Sequence, residues 1–187
     1  MGVLKYVTNM SLDGFIEDDE GRFDWLPLDD ELFDHQTELV ASADTLLYGR
    51  RLYESMAVWE TDAALGAQND RFGAFSAAWK AAHKVVYSTS LAEVGTADTR
   101  IERRFVDDEV RRVTHDAPGD VLIGGADLAA RAFAGGLIDE CLLFVFPVSV
   151  GGGKPALPRG QRVGLELLGE RRFSNGVLLL HHRVRAR

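Results

Sequence analysis

Thr45-Leu46-Leu47-Tyr48-Gly49-Arg50-Arg51-Leu52-Tyr53-Glu54-Ser55-Met56 carries an apolar run that stops at a glycine, then two arginines, then at once a helical pattern. That order describes a buried strand whose carboxyl end meets a helix start, with guanidinium groups at the junction. Free backbone N–H groups and the helix dipole favour an anion there, and arginine adds a planar fork suited to phosphate. Taken alone, the same order also suits an ordinary strand–turn–helix with solvated arginines. Two later segments tip the balance.

Outward from that segment, the chain alternates strand and helix patterns. Val3 to Asn9 reads as a first strand, followed by Ser11-Leu12-Asp13-Gly14-Phe15-Ile16 and an acidic loop from Glu17 to Asp24 closed by Trp25-Leu26-Pro27. A helix is expected from Asp29 or Asp30 to Ala43, a strand at Asp44–Tyr48, and a helix from near Arg51. Thr61 to Asn69 reads as irregular, and Arg71 to His83 as a helix with Phe72, Phe75 and Trp79 on one face. Lys84–Tyr87 is a short buried strand stopped by Ser88-Thr89-Ser90. Thr99–Phe105 suits a strand and Asp107–His115 a helix. Asp120–Ile123 is a strand that stops at Gly124-Gly125, with a helix over Ala126–Ala134. Ile138–Val148 is a long apolar strand broken by Pro147. Two final strands, Glu166–Phe173 and Val177–Arg185, are joined by Ser174-Asn175-Gly176, and Asn-Gly between such runs is a hairpin signal. The alternation up to about residue 135, then consecutive strands, implies an α/β sheet, mostly parallel with an antiparallel C-terminal edge. No linker or repeat interrupts it, so one domain over residues 1–187 is expected.

Composition narrows the function. The 187 residues carry a formal net charge of −8, which argues against a nucleic-acid backbone as the main partner. No basic amphipathic helix suits a membrane surface, and no secretory signal is visible at the N-terminus. The lone Cys141 sits in an apolar run and reads as a buried inert thiol, so a cytoplasmic setting is expected. Arginines nevertheless cluster at Arg50-Arg51, Arg103-Arg104, Arg111-Arg112 and Arg183 to Arg187. Local positive sites on an acidic chain suit a small phosphorylated ligand better than a polymer.

In open parallel sheets, ligands bind beyond the carboxyl ends of the strands. Three parallel strands here end in Gly49-Arg50-Arg51, Ser88-Thr89-Ser90 and Gly124-Gly125-Ala126. Glycines let a backbone approach a pyrophosphate closely at a helix start. Hydroxyls and arginines suit an adenosine 2′-phosphate, whereas a site for NAD tends to place an acid on the ribose. No acid stands at Ser88–Ser90, so NADPH is favoured over NADH.

On these residues the chain resembles the dihydrofolate reductase superfamily, and most of all the reductase domain of the riboflavin-biosynthesis deaminase–reductases and its stand-alone relatives. The resemblance rests on Ser11–Ile16, Tyr48–Glu54, Val86–Leu91, Leu122–Ala126 and Pro147–Pro155, which follow in family order along almost the whole chain. It implies a central sheet of about eight strands with helices on both faces, NADPH as hydride donor, and a homodimer. It also implies that Gly49, Arg50 and Arg51 hold cofactor phosphates and that Ser88, Thr89 and Ser90 line the 2′-phosphate. Gly124, Gly125 and Ala126 would meet the pyrophosphate, and Asn9 and Ile16 the nicotinamide.

For the substrate, the superfamily's proton-handling carboxylate on the first helix matches Asp29 best, with Asp30 as a rival. Both also suit a plain helix start. Asp13 is a further substrate-side candidate, or a turn residue. Were the substrate phosphorylated, Lys154 and Arg159 are the basic residues available. The glycine-rich Gly151–Pro155 lacks the P-loop spacing, and the five histidines lack metal-ligand spacing, so no metal is expected. No serine has a nucleophile-elbow context. The expected function is NADPH-dependent reduction of a small heterocyclic or pyrimidine-derived substrate, like the aminouracil ribosyl phosphate of riboflavin synthesis. A dihydrofolate-type pteridine reductase and a non-catalytic NADP-binding module are the alternatives.

Overall fold

Strands buried on both faces organise the molecule, which a computed structural model describes over residues 2–25 and 29–185. Leu26 and Pro27 of the loop-closing stretch, the adjoining Leu28, and the last two residues of the C-terminal arginine cluster lie outside those described. In chain order the elements are β1 (Leu4–Ser11), β2 (Phe15–Glu17), α1 (Asp30–Ala41), β3 (Ala43–Gly49), α2 (Arg50–Met56), α3 (Val58–Thr61), α4 (Ala63–Gly66), α5 (Asp70–Ala81), β4 (His83–Tyr87), β5 (Thr99–Glu102), α6 (Asp107–Asp116), β6 (Asp120–Gly124), α7 (Ala126–Ala134), β7 (Glu140–Phe146), β8 (Lys154–Pro155), β9 (Leu165–Arg172) and β10 (Leu178–Val184). Among the described residues the main sheet has eight strands in the order β5-β4-β3-β6-β1-β7-β10-β9. Strands β5 through β7 in that order are parallel, and β10 and β9 add an antiparallel edge.

Alternate residues of each central strand serve opposite cores. Leu46, Tyr48, Val86 and Leu122 pack with Phe33, Tyr53, Phe75 and Trp79 from α1, α2 and α5. Leu47, Val85, Val121 and Ile123 pack with Val110, Leu128, Ala129 and Phe133 from α6 and α7. This two-sided burial is why the strands read as continuous apolar runs. Burying each such side chain contributes about 1.5–3 kcal/mol. The chain moves outward from β1 through β3 to β5, then returns to place β6 between β3 and β1. Right-handed crossovers in opposite directions put their helices on opposite faces, so a crevice opens where the directions diverge, beyond the carboxyl ends of β3, β6 and β1.

Three local expectations need correction. Residues 61–69 are not irregular throughout: α3 and α4 occupy part of this stretch, and the Asp62 carboxylate accepts from Ala64 N and Leu65 N to start α4. Helices of four residues are too short to show a helical period. The long apolar strand stops at Phe146, because Pro147 has no N–H for the ladder. The glycine-rich loop is not wholly loop, since Lys154 and Pro155 pair antiparallel with β2. Cys141 is fully buried on β7, and burial pushes its thiol up to about 12, which leaves it unreactive.

Candidate functional site

Sheet register brings the strand tips together. Tyr48 stands opposite Gly124, Gly49 opposite Tyr87, and Tyr87 opposite Glu102. Arg50, Ser88, Arg103 and Gly125, the residues that follow each tip, therefore emerge along one edge. They border a cleft of about 1260 Å³. Its lining includes Gly49, Arg50, Arg51, Ser88, Thr89, Ser90, Gly124, Gly125 and Ala126, together with Asn9 from β1 and Ile16 from β2.

Glycine matters at two of these positions. A Cβ on Gly124 would come within 2.5 Å of Leu52 Cδ2, so a side chain there would force Leu52 to turn aside from the sheet. Gly125 adopts φ +90°, a conformation costly for any residue with a Cβ, and from there it starts α7. No side chain caps that helix, so its first N–H groups remain available to an anion at the cleft wall. Ser88 lines the cleft and also shapes its wall. Its hydroxyl accepts from Ser90 N at 3.2 Å and Leu91 N at 2.9 Å, which builds the turn and leaves Thr89 and Ser90 exposed on it.

The charge of the lining is the reverse of the chain's. Arg22, Arg50, Arg51, Arg103, Arg104, Arg131 and Lys154 face the cleft, against the carboxylates of Glu17, Asp24 and Asp127. Several of these cations are committed. Arg50 pairs with Glu54 at 3.1 Å, and Lys154 with Asp127 at 2.8 Å and Glu17 at 3.8 Å. Arg22 bonds Asp18 and Glu20, while Arg103 donates to the Ser88 and Leu91 carbonyls and clamps the serine turn. Arg51, Arg104 and Arg131 have no acceptor among the described residues. Three such guanidinium groups in one cleft have the chemistry to suit an anion. Arg104 and Arg131 were missed in the sequence, although Arg103-Arg104 follows a strand just as Arg50-Arg51 does.

The expected substrate-side residues are scattered. Asp29 caps α1, accepting from Leu32 N at 2.9 Å and from Ser174 Oγ at 3.0 Å. Asp30 pairs with Arg71 at 3.1 Å. Neither lines the cleft among the described residues: the capping Asp29 turns back onto the first turn of α1, and Asp30 is drawn to Arg71. The face that α1 does present is Phe33, Gln36, Leu39 and Val40. Lys154 lines the cleft; Arg159 is exposed and lies outside the lining.

Asp13 is also outside the lining and anchors a loop instead. Its carboxylate accepts from Ser149 Oγ at 2.8 Å, Val150 N at 3.1 Å and Gly151 N at 2.7 Å. The Ser11 hydroxyl above all, then these three donors, holds its carboxyl well below the usual range despite partial desolvation. A depressed carboxylate contributes stability that is complete above the unfolded value of 3.8 and is lost only as pH falls through the lowered one. Amide-exchange protection at Val150 and Gly151 should therefore stay flat between about pH 5 and 8, and Asp13→Asn should lose it across that window. Unchanged protection in the variant would refute the anchor. Burial also raises the phenols of Tyr48, beyond its ordinary value, and of Tyr87, to about 12, so both cleft-lining tyrosines stay neutral. Among the described residues there is no cluster of three His, Cys, Asp or Glu side chains placed for a metal, and no helix is long and apolar enough to cross a membrane.

Comparison with known proteins agrees with this architecture. The chain is 31% identical over 179 residues to the uncharacterized protein YyaP of Bacillus subtilis, covering 92% of this chain and 90% of that one. A putative riboflavin biosynthesis protein from Shewanella sp. PV-4 superposes with a TM-score of 0.76 at 17% identity, over 98% of this chain and 99% of that one. The diaminohydroxyphosphoribosylaminopyrimidine deaminase/5-amino-6-(5-phosphoribosylamino)uracil reductase of Thermotoga maritima superposes at 0.66 with 14% identity, over 98% of this chain but 57% of that longer one. The family model for the RibD C-terminal domain matches residues 3–179, which takes in every strand tip that borders the cleft, and the chain belongs to that reductase-domain family.

Proposed function

We propose that this protein is an NADPH-dependent reductase of a small heterocyclic or pyrimidine-derived substrate. The observation that carries the proposal is the trio of unpaired guanidinium groups, Arg51, Arg104 and Arg131, in a cleft beside an uncapped helix start. NADPH carries a 2′-phosphate and a pyrophosphate, and that donor set suits both. Arg51 and Arg104, with Thr89 and Ser90, would hold the 2′-phosphate; Gly125, Ala126 and Arg131 would hold the pyrophosphate. Asn9 and Ile16 would border the nicotinamide. When bound, the cofactor supplies a hydride to a C=N or C=O carbon, and a proton completes the product on the heteroatom. The chain's own work is to orient the partners and exclude water. The apolar wall of Phe33, Leu52, Met56 and Trp59 does the latter.

The α1 face that borders the cleft, Phe33, Gln36, Leu39 and Val40, carries no acid, and this favours proton delivery from water over Asp29 or Asp30. It also disfavours the pteridine-reductase alternative. Loss of NADPH absorbance on adding aminouracils, dihydrofolate or a carbonyl and imine panel tests the activity. NADPH binding without consumption across that panel would favour the non-catalytic module. A homodimer through β9 belongs to the same proposal: among the described residues this strand ends the main sheet, and it exposes Leu167 and Leu168. A monomer by light scattering would refute it.

A further inference from the structure

The cleft has two ends of opposite character. Around the tips of β3, β5 and β6 stand the unpaired guanidinium groups. Between α1, α3 and α5 the wall is aromatic: the Trp59 ring centroid lies 5.9 Å from Phe33 and 4.6 Å from Phe75. Into this apolar end α1 sends Gln36, whose Nε2 donates to Asn9 Oδ1 at 3.0 Å. That bond uses one half of each amide. It leaves an acceptor, Gln36 Oε1, and a donor, Asn9 Nδ2, on two bonded side chains of the lining, with no partner among the described residues. Turning both amides over again leaves one free donor and one free acceptor, now Gln36 Nε2 and Asn9 Oδ1. A neighbouring donor and acceptor is the complement of a –CO–NH– edge on a flat ring.

Resting on the reductase reading above, we propose that the substrate is an uncharged planar lactam that carries no phosphate, seated against Phe33 and Trp59 and read by Gln36 and Asn9. Three free guanidinium groups match the three phosphoryl groups of NADPH and leave none for a fourth. The other basic groups near the opening are spent, Lys154 on Asp127 and Arg22 on Asp18 and Glu20. Glu17 and Asp24 in the wall would repel a phosphate. A phosphate drawn from water into that end would meet no compensating charge.

Calorimetry separates the two claims. The first titration adds NADP⁺; the second adds, to the saturated protein, a ribitylaminouracil or its terminal phosphate ester. The free ribityl compound should bind at least about tenfold tighter than the ester. Gln36→Leu should weaken the free compound about tenfold while leaving NADP⁺ affinity unchanged, which also reports that the variant folds. Equal or tighter binding of the ester, no binding of either compound to saturated protein, or an indifferent Gln36→Leu would each overturn the proposal. Absence of NADP⁺ binding in the first titration would sink the reductase reading and this one with it; NADP⁺ binding followed by the wrong ligand order sinks this one alone.

Discussion

Replacing Arg51 and Arg104 together by alanine should raise the dissociation constant for NADPH by about two orders of magnitude and change that for NADH much less. Each guanidinium lines the cleft, one at the start of α2 and one just beyond β5, and neither has an acceptor among the described residues. A charge-assisted hydrogen bond of this kind contributes about 1.5–3 kcal/mol, so losing two costs about a hundredfold or more. Arg50→Ala is the internal control. Its guanidinium already pairs with Glu54, so its removal should cost less. Ser88→Ala should weaken both cofactors alike, because that hydroxyl holds the turn through Ser90 N and Leu91 N. Equal losses of NADPH and NADH in the double arginine variant would contradict the 2′-phosphate assignment.

Lys84→Met should destabilise the protein by about 3–5 kcal/mol, the largest single effect on folding that we expect. The Lys84 ammonium is fully buried at the start of β4. It donates to Ala82 O at 2.9 Å and Trp79 O at 3.2 Å, lies 4.5 Å over the Trp79 ring, and stands 3.9 Å from Glu60 Oε2. It thus satisfies carbonyls at the end of α5, where the helix dipole favours a cation. Burial lowers its pKa, while Glu60 and Asp98 act to keep it charged. The methionine variant strands those carbonyls and Glu60 Oε2, which has no hydrogen bond among the described residues, although Oε1 keeps its bond from Ala97 N. Glu60→Gln on top of Lys84→Met should recover part of the loss. Thermal unfolding would register the single variant as a fall of about 10 °C. A fall within about 2 °C would mean that the ammonium does little for the fold.

Much of this architecture could be read in advance because burial on both sheet faces writes itself as unbroken apolar runs. Leu46–Tyr48, Val85–Val86 and Val121–Ile123 needed no tertiary information, and each ends in residues that only a turn or a helix start accommodates. The strand tips of the cleft were legible for the same reason. Residues whose role depends on the direction of a side chain were not. Asp29 and Asp30 occupy a helix start in either reading, and only coordinates tell a cap from a cleft-facing acid. Gln36 and Trp59 carry no local signal, since their partners Asn9 and Phe33 are distant in sequence. Arg104 was visible as a charge cluster, but its place depended on Glu102 standing in register with Tyr87.

A crystal structure with NADP⁺ tests the central claim most directly. The 2′-phosphate should lie between Arg51, Arg104 and the Thr89–Ser90 turn, with the pyrophosphate against the Gly125–Ala126 helix start. Density for the nucleotide outside that cleft, or with its adenosine end lodged between Phe33 and Trp59, would contradict it.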